Sequence, residues 1–79
     1  MDKVGELIKL IASYLVDKQD QVEIQEVSGD STTVYELRVA QEDLGKIIGK
    51  QGKTAKAIRV LLGAAAAKEK RRAVLEIIE

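Results

Sequence analysis

The spacing of apolar and polar residues in the first half of the chain predicts one helix followed by two strands. Apolar side chains recur at helical spacing over residues 4–15, and Asp2 stands where an N-cap is needed. Residues 21–27 alternate between polar and apolar, a turn sequence follows at 28–31, and residues 33–40 alternate again. Two alternating segments joined by a short turn predict a β-hairpin.

The second half of the chain changes to helical spacing and then returns to a strand pattern. Residues 41–48 predict a short helix with acids at its start, which the glycines of residues 49–52 must end. Residues 53–68 have apolar side chains at helical spacing and are rich in alanine, the best helix former. A basic turn at 68–72 and an apolar segment at 73–78 complete the order α-β-β-α-α-β. This order predicts one α+β domain over residues 1–79, with the helices covering one face of the sheet.

Small residues stand out near the end of the last predicted helix. Gly63 costs about 1 kcal/mol relative to alanine inside a helix, so we expect a closely packed backbone there or a loosened helix. The alanines at 64–67 predict, together with Gly63, a helix packed tightly on the sheet. A self-association seam is the alternative interpretation.

Composition excludes most catalytic chemistry. The 79 residues contain no His and no Cys, so imidazole and thiol catalysis, disulfides and the usual zinc ligands are missing. No apolar run approaches the roughly 18 residues that cross a bilayer, and the N-terminal residues lack the layout of a signal peptide. We therefore expect a cytoplasmic domain that is not an enzyme, has no cofactor, metal or small-molecule substrate, and does not enter a membrane.

The net charge of zero conceals a strong asymmetry along the chain. Residues 1–45 carry four basic and ten acidic groups, whereas residues 46–79 carry nine basic and three acidic groups. The net charges of the two parts are therefore −6 and +6. Residues 46–59 contain five basic side chains and no carboxylate. Such a segment can recruit an anion, although a charge run can also be a solvated helix face.

The Gly-Lys-Thr sequence at residues 52–54 is compatible with the end of a phosphate-binding P-loop. That motif needs a glycine five positions before Gly52, where this chain has Ile47. It also needs a strand before the loop, whereas residues 44–48 predict a helix. A nucleotide-hydrolysing domain is thereby disfavoured, and helix, Gly-x-x-Gly, helix is the better interpretation.

This arrangement resembles a KH domain, whose signature is an aliphatic pair, Gly-x-x-Gly and a helix with further aliphatic residues. Here the match runs from Ile47 to Ile58, and the element order matches the type II form over essentially the whole chain. Residues 42–59, with the later alanine run, are similar to the small bacterial KhpA family of single-KH proteins. The resemblance implies a type II KH domain over 1–79, with three helices on one face of a three-stranded sheet. Ala55 departs from many KH domains, which have a large aliphatic residue there.

The loop has a physical reason to bind a nucleic-acid backbone. Glycines without Cβ let a sugar-phosphate chain approach, and the N-terminus of the following helix offers free N–H groups and a favourable dipole. We expect lysines beside the phosphates and an aliphatic groove for the bases, with Ile58 as a further groove candidate. Each isoleucine is alternatively a core residue. The predicted RNA-binding residues are Lys46, Ile47, Ile48, Gly49, Lys50, Gln51, Gly52, Lys53, Lys56 and Arg59.

Aromatic residues are too few for a platform on which bases stack. The chain has only Tyr14 and Tyr35, and the pattern predicts that both face the core. Domains that bind single strands on a sheet or a barrel commonly stack bases on exposed rings. The composition therefore favours a groove.

These observations predict a single-stranded RNA-binding protein that clamps about four nucleotides with its glycine loop. The resemblance implies an RNA chaperone or post-transcriptional regulator. It also implies a homodimer, or a heterodimer with a larger KH-containing RNA-binding protein. The alternative is a dimerisation module that has the KH fold and little affinity for RNA.

Overall fold

The computed structural model describes all 79 residues, and its element order is the predicted α-β-β-α-α-β. The elements are α1 (Lys3–Leu15), β1 (Glu23–Ser28), β2 (Thr32–Arg38), α2 (Leu44–Ile48), α3 (Lys53–Ala67) and β3 (Arg72–Ile77). Short 3₁₀ turns occupy Gln19–Gln21, Gln41–Asp43 and Lys50–Gly52. None of the helices has the length and apolar character needed to span a bilayer. The predicted α+β architecture is confirmed.

The first helix begins as its sequence predicts. The carboxylate of Asp2 accepts a hydrogen bond from the Gly5 N–H at 2.8 Å, which satisfies one of the free donors at the N-terminus. Val4, Ile8 and Ala12 are buried on the face that packs against the sheet. Capping and spacing thus specify where α1 begins and which side it buries.

The sheet has the order β1-β2-β3, with one antiparallel and one parallel pair. In the hairpin Ser28 lies opposite Thr33, whereas the parallel pair aligns Thr32 with Arg72. Parallel pairing requires the long connection through α2 and α3, which places both helices over the sheet. β3 is consequently an edge strand with one side free of strand partners.

The main-chain groups of β3 alternate between β2 and the free edge. The N–H of Arg72 donates to Ser31 O at 2.8 Å, and that of Ile78 donates to Leu37 O at 2.9 Å. Since successive residues of a strand direct their main-chain groups to opposite sides, Leu75 and Ile77 direct theirs to the free edge. Residues 74–77 of this edge strand line the same groove as Gly52 of the glycine loop.

The two tyrosines have opposite environments. Tyr35 is fully buried in the centre of the sheet, as predicted, and its hydroxyl donates to Asp2 Oδ2 at 2.7 Å. The prediction of a core position for Tyr14 is wrong, because this side chain is 82% exposed. Tyr14 lies two residues beyond Ala12 and therefore on a different side of α1 from the buried stripe.

The glycine and alanine run of α3 does not pack as a whole on the sheet. Ala66 is buried and Ala65 is half-buried, whereas Ala64 and Ala67 are exposed. No atom outside the helix lies within 4 Å of the position that a Cβ of Gly63 would take. The expectation of a close backbone at Gly63 is therefore wrong, and α3 remains a regular helix through this residue.

Candidate nucleic-acid interface

The loop between α2 and α3 begins with a glycine that no other residue can replace without rearrangement. Gly49 has φ 78° and ψ 171°, and its N–H donates to Gly45 O at 2.8 Å, which ends α2. A Cβ at this position would overlap the side chain of Thr54 and lie 2.8 Å from the Thr54 nitrogen. The missing side chain thus allows the loop to fold onto the first turn of α3.

Two further loop residues have unusual backbone angles. Gly52 is left-handed with φ 75°, and Gln51 is left-handed as well, with φ 59° and ψ 25°. Sequence reasoning found both glycines but missed the conformation of Gln51, because glutamine carries no turn signal. The successive left-handed residues turn the chain sharply and leave the side chains of Lys50 and Gln51 exposed.

The N-terminus of α3 is open to an anion. Its N-cap is Gly52, which has no side chain, so no N-cap side chain accepts a hydrogen bond from the first-turn N–H groups. The first turn contains no acidic residue. Free N–H groups and the positive end of the helix dipole together favour a phosphate at this point.

Three of the predicted cations are exposed around the loop without an ion-pair partner. They are Lys50, Lys53 and Lys56, and none of them belongs to a salt bridge of the structure. Lys53 and Lys56 lie on successive turns of α3 that leave the loop. Their charges are available to the backbone of a nucleic acid.

Lys46 differs from these three lysines. Its ammonium lies 3.0 Å from Asp43 Oδ1 and 3.1 Å from Asp17 Oδ2. Hydrogen bonds to Asp43 and then to Asp17 raise the pKa of Lys46 above its ordinary value. Its charge is therefore already paired with carboxylates, unlike that of the three lysines, and its contact with RNA stays a prediction.

A groove of about 420 Å³ lies beside the loop, between the helices and the free edge of β3. Its walls are formed by Ile48, Gly52, Ala55, Arg59, Val74, Leu75, Glu76, Ile77 and Glu79. The β3 residues were missed by sequence reasoning, since only the sheet order brings them next to the loop. Because Ala55 is small, it leaves space at the floor of the groove.

The aliphatic candidates separate into groove and core. Ile48 is half-buried and lines the groove, whereas Ile47 is completely buried and Ile58 nearly so. Adjacent residues of a helix lie about 100° apart, so Ile47 and Ile48 cannot face the same way. Groove lining by Ile47 and Ile58 is therefore wrong, and both belong to the core.

Arg59 connects the two walls of the groove. Its Nη2 donates to the carbonyl oxygen of Leu75 at 3.4 Å, a long hydrogen bond to the free edge of β3. Arg59 follows Ala55 by one helical turn on the same side of α3. Its guanidinium thus lies within the groove rather than in the row of lysines that continues from the loop.

A buried carboxylate holds α2, and with it the loop. Asp43 is 1% exposed and accepts hydrogen bonds from the Lys18 N–H at 2.9 Å and from the Lys46 ammonium at 3.0 Å. These donors keep the pKa of Asp43 below its ordinary value. Next to it, Lys18 and Glu42 form an exposed ion pair. The turn after α1 is thereby fastened to the start of α2.

Comparison with known proteins agrees with the geometry. The family model described as KhpA/KhpB, KH domain, matches residues 5–77. A protein named RNA-binding protein KhpA from Caldanaerobacter subterraneus subsp. tengcongensis is 56% identical over 95% of this chain and 100% of its own length. Proteins of the same name from Borreliella burgdorferi and Aquifex aeolicus are 54% and 46% identical. These matches cover 94% and 100% of this chain, and 90% and 100% of the relatives. No solved structure matches the chain.

Proposed function

The chain belongs to the KhpA/KhpB family of KH domains, and from this membership we propose that it is a cytoplasmic protein that binds single-stranded RNA without catalysis. The relatives' names support the ligand, since each is called an RNA-binding protein. The predicted resemblance to this family is confirmed. The clamp is the loop from Gly49 to Lys53, with Lys56 extending its positive charge.

The observation that supports this proposal is that three features suited to RNA binding lie next to one another. An uncapped helix N-terminus, three unpaired lysines and an open groove all meet at the glycine loop. The lysines and free N–H groups attract phosphates, which gives affinity and register. The groove then takes the bases, whose unstacked edges and faces are accessible in a single strand.

The sharpest test reverses charge on the loop without disturbing the fold. The double variant Lys50→Asp and Gln51→Asp changes two exposed side chains, and aspartate tolerates the left-handed backbone of position 51. We expect an affinity loss of roughly 100-fold or more for a labelled single-stranded RNA, because attraction becomes repulsion. Fluorescence anisotropy measures the affinity, and circular dichroism verifies the fold.

The matched control makes the same charge change away from the loop. Lys9→Asp with Gln21→Asp alters one exposed lysine and one exposed glutamine on the α1 and β1 side. This control should bind RNA much more tightly than the loop variant. A folded loop variant with wild-type affinity would refute the proposed clamp.

A single clamp on about four nucleotides binds weakly, so a second clamp would increase affinity by avidity. Such a bivalent binder is suited to the role of an RNA chaperone or post-transcriptional regulator, which we include in the proposal.

The structure offers a surface for the necessary pairing. We define the helix-layer patch as four large apolar side chains on the outer sides of α1 and α3, namely Leu10, Tyr14, Val60 and Leu61.

The helix-layer patch supports a homodimer as the partner arrangement. Its four side chains are 54%, 82%, 66% and 55% exposed, and clustered exposed apolar side chains are typical of protein–protein interaction sites. Ala57, Ala64 and Ala67 are exposed on the same α3 and permit close approach of a second helix. A KH-containing partner with a similar helix would fit the same patch. A dimerisation module with little RNA affinity remains the second candidate function, and this patch favours it.

A further inference from the structure

The groove has an apolar end next to the glycine loop and a polar end farther along α3. Near the loop it is lined by Ile48, Gly52 and Ala55, and farther along α3 by Arg59, while Glu76 and Glu79 belong to its β3 wall. A base at the polar end that lies against the edge of β3 has a hydrogen-bond donor, Arg59, and an acceptor, Glu76, within reach in addition to apolar surface. The lysines of the loop and the aliphatic wall cannot distinguish one base from another in this way.

The donor and the acceptor approach the edge of β3 from opposite sides. Arg59 comes from the helix layer, where its guanidinium lies 3.4 Å from Leu75 O. Glu76 is exposed and, as the neighbour of buried Leu75, projects from the other face of the sheet. A base placed edge-on against β3 would have the guanidinium along one edge and the carboxylate along another.

We propose that this polar end is a subsite for guanine, an assignment that rests on the RNA-binding function proposed above. Guanine presents two adjacent acceptors, O6 and N7, which match the forked donors of an arginine. Its N1–H and N2 amino groups are adjacent donors, and a carboxylate accepts from both. Arg59 donates to the first edge, and Glu76 accepts from the second.

The other bases satisfy this pair of side chains less completely. Adenine places its N6 amino group where guanine has O6, so a donor faces the guanidinium. Uracil has only one N–H donor on its Watson–Crick edge, between two carbonyl groups. Cytosine offers an amino group to Glu76 and a carbonyl to Arg59, with one bond on each side, and ranks second. The order of preference is guanine, cytosine, then adenine and uracil.

The experiment measures how tightly the full chain binds octamers that differ at one position. Four labelled octamers contain uracil at seven positions and guanine, cytosine, adenine or uracil at a central one. Fluorescence anisotropy should show the guanine octamer binding about tenfold more tightly than the uracil octamer. A fifth octamer with inosine, which lacks the N2 amino group, should lie between these two.

Variants assign the preference to the two side chains. Glu76→Gln and Arg59→Lys should each reduce the ratio of guanine to uracil affinity to below about threefold, because each removes one matched edge. Glu36→Gln is the control, since Glu36 lies opposite Glu76 in the register of β2 and β3 but does not line the groove. It should leave the ratio unchanged.

The outcomes separate the subsite from the function on which it rests. If no octamer binds, the RNA-binding proposal itself fails. If all octamers bind equally to the wild-type chain, or if Glu36→Gln reduces the ratio as strongly as Glu76→Gln, the guanine subsite is refuted while RNA binding stands.

Discussion

Gly49 and Gly52 share a positive φ but differ in their surroundings. Gly49 is packed against Thr54, whereas the space around the Cα of Gly52 is open. The angles of Gly49, with ψ near 180°, are accessible almost only to glycine, while those of Gly52 are left-handed and are adopted by other residues at moderate cost. The two glycines of the motif are therefore needed to different degrees.

This difference predicts unequal effects of the same substitution. Gly52→Ala should lower the free energy of unfolding by about 1 to 2 kcal/mol, the cost of a left-handed alanine. Gly49→Ala should cost about 3 kcal/mol or more, because backbone strain and overlap with Thr54 combine. Urea unfolding of both variants measures the difference. Equal losses would contradict the assigned contacts of Gly49.

Sequence spacing alone identified the residues of the loop, because glycines and lysines have strong and local preferences. It could not assign Lys46, whose partners Asp17 and Asp43 include one that is 29 positions away. It also could not separate Ile47 from Ile48, since either of two adjacent residues in a short helix satisfies an apolar pattern. Whether each isoleucine belongs to the core or to the groove depends on which face of α2 packs against the rest of the molecule.

Among the elements, α2 depends most on its neighbours. It has five residues, far fewer than an isolated helix needs to be stable in water. The hydrogen bonds of Asp43 to Lys18 and Lys46 fasten its start, and Ile47 anchors it in the core. The position of the glycine loop at its end follows from these contacts.

The Asp43 contacts predict how stability depends on pH. Its pKa is below the ordinary value of 3.8 in the folded chain, so the stabilisation is complete above that value. As pH falls below 3.8, the carboxyl group is protonated in the unfolded chain before it is protonated in the folded chain. The stabilisation therefore decreases gradually, and it is fully lost once the pH is below the folded-state pKa. The lowered pKa values of Asp2 and Glu42 act in the same direction.

Urea unfolding at pH 7 and pH 3 tests this dependence. Asp43→Asn cannot ionise and pairs less well with Lys46, so it should be less stable than the wild type at pH 7. The gap between the two proteins should narrow at pH 3. A gap that stays constant between the two pH values would show that the Asp43 carboxylate is not responsible.

The helices and strands themselves were predicted well, since each has a periodic pattern of its own. The position of β3 in the sheet was not predicted, because the polar and apolar pattern of a strand does not indicate which strand it pairs with or which of its edges stays free. The groove wall from Val74 to Ile77 was therefore invisible in the sequence. These β3 residues lie next to the glycine loop because β3 pairs in parallel with β2.

For the whole molecule, the helix layer and the open face of the sheet offer two separate surfaces. The helix-layer patch is the larger apolar one, while the open sheet face exposes the smaller Val27 and Val74 among charged residues. The groove beside the loop opens along the β3 edge, between these surfaces. Pairing through the helix layer is therefore compatible with an open groove in each copy.

A charge placed in the helix-layer patch should separate the copies. Leu61→Asp should convert the proposed homodimer to a monomer, because pairing would bury an unpaired carboxylate. Sedimentation velocity over a concentration series measures the mass. Val27→Asp, at an exposed position of the opposite sheet face, is the control and should leave the mass unchanged. A monomeric wild type at all concentrations would contradict self-association.

The position of β3 as the last element along the chain has a consequence during synthesis. A nascent chain that has emerged as far as Lys70 contains the loop and its lysines, but not the strand that forms the second groove wall. Since chains emerge from the N-terminal side, attraction to phosphates precedes the ability to hold bases. On the proposed function, such a nascent chain would hold the backbone of an RNA but not its bases until β3 docks beside β2.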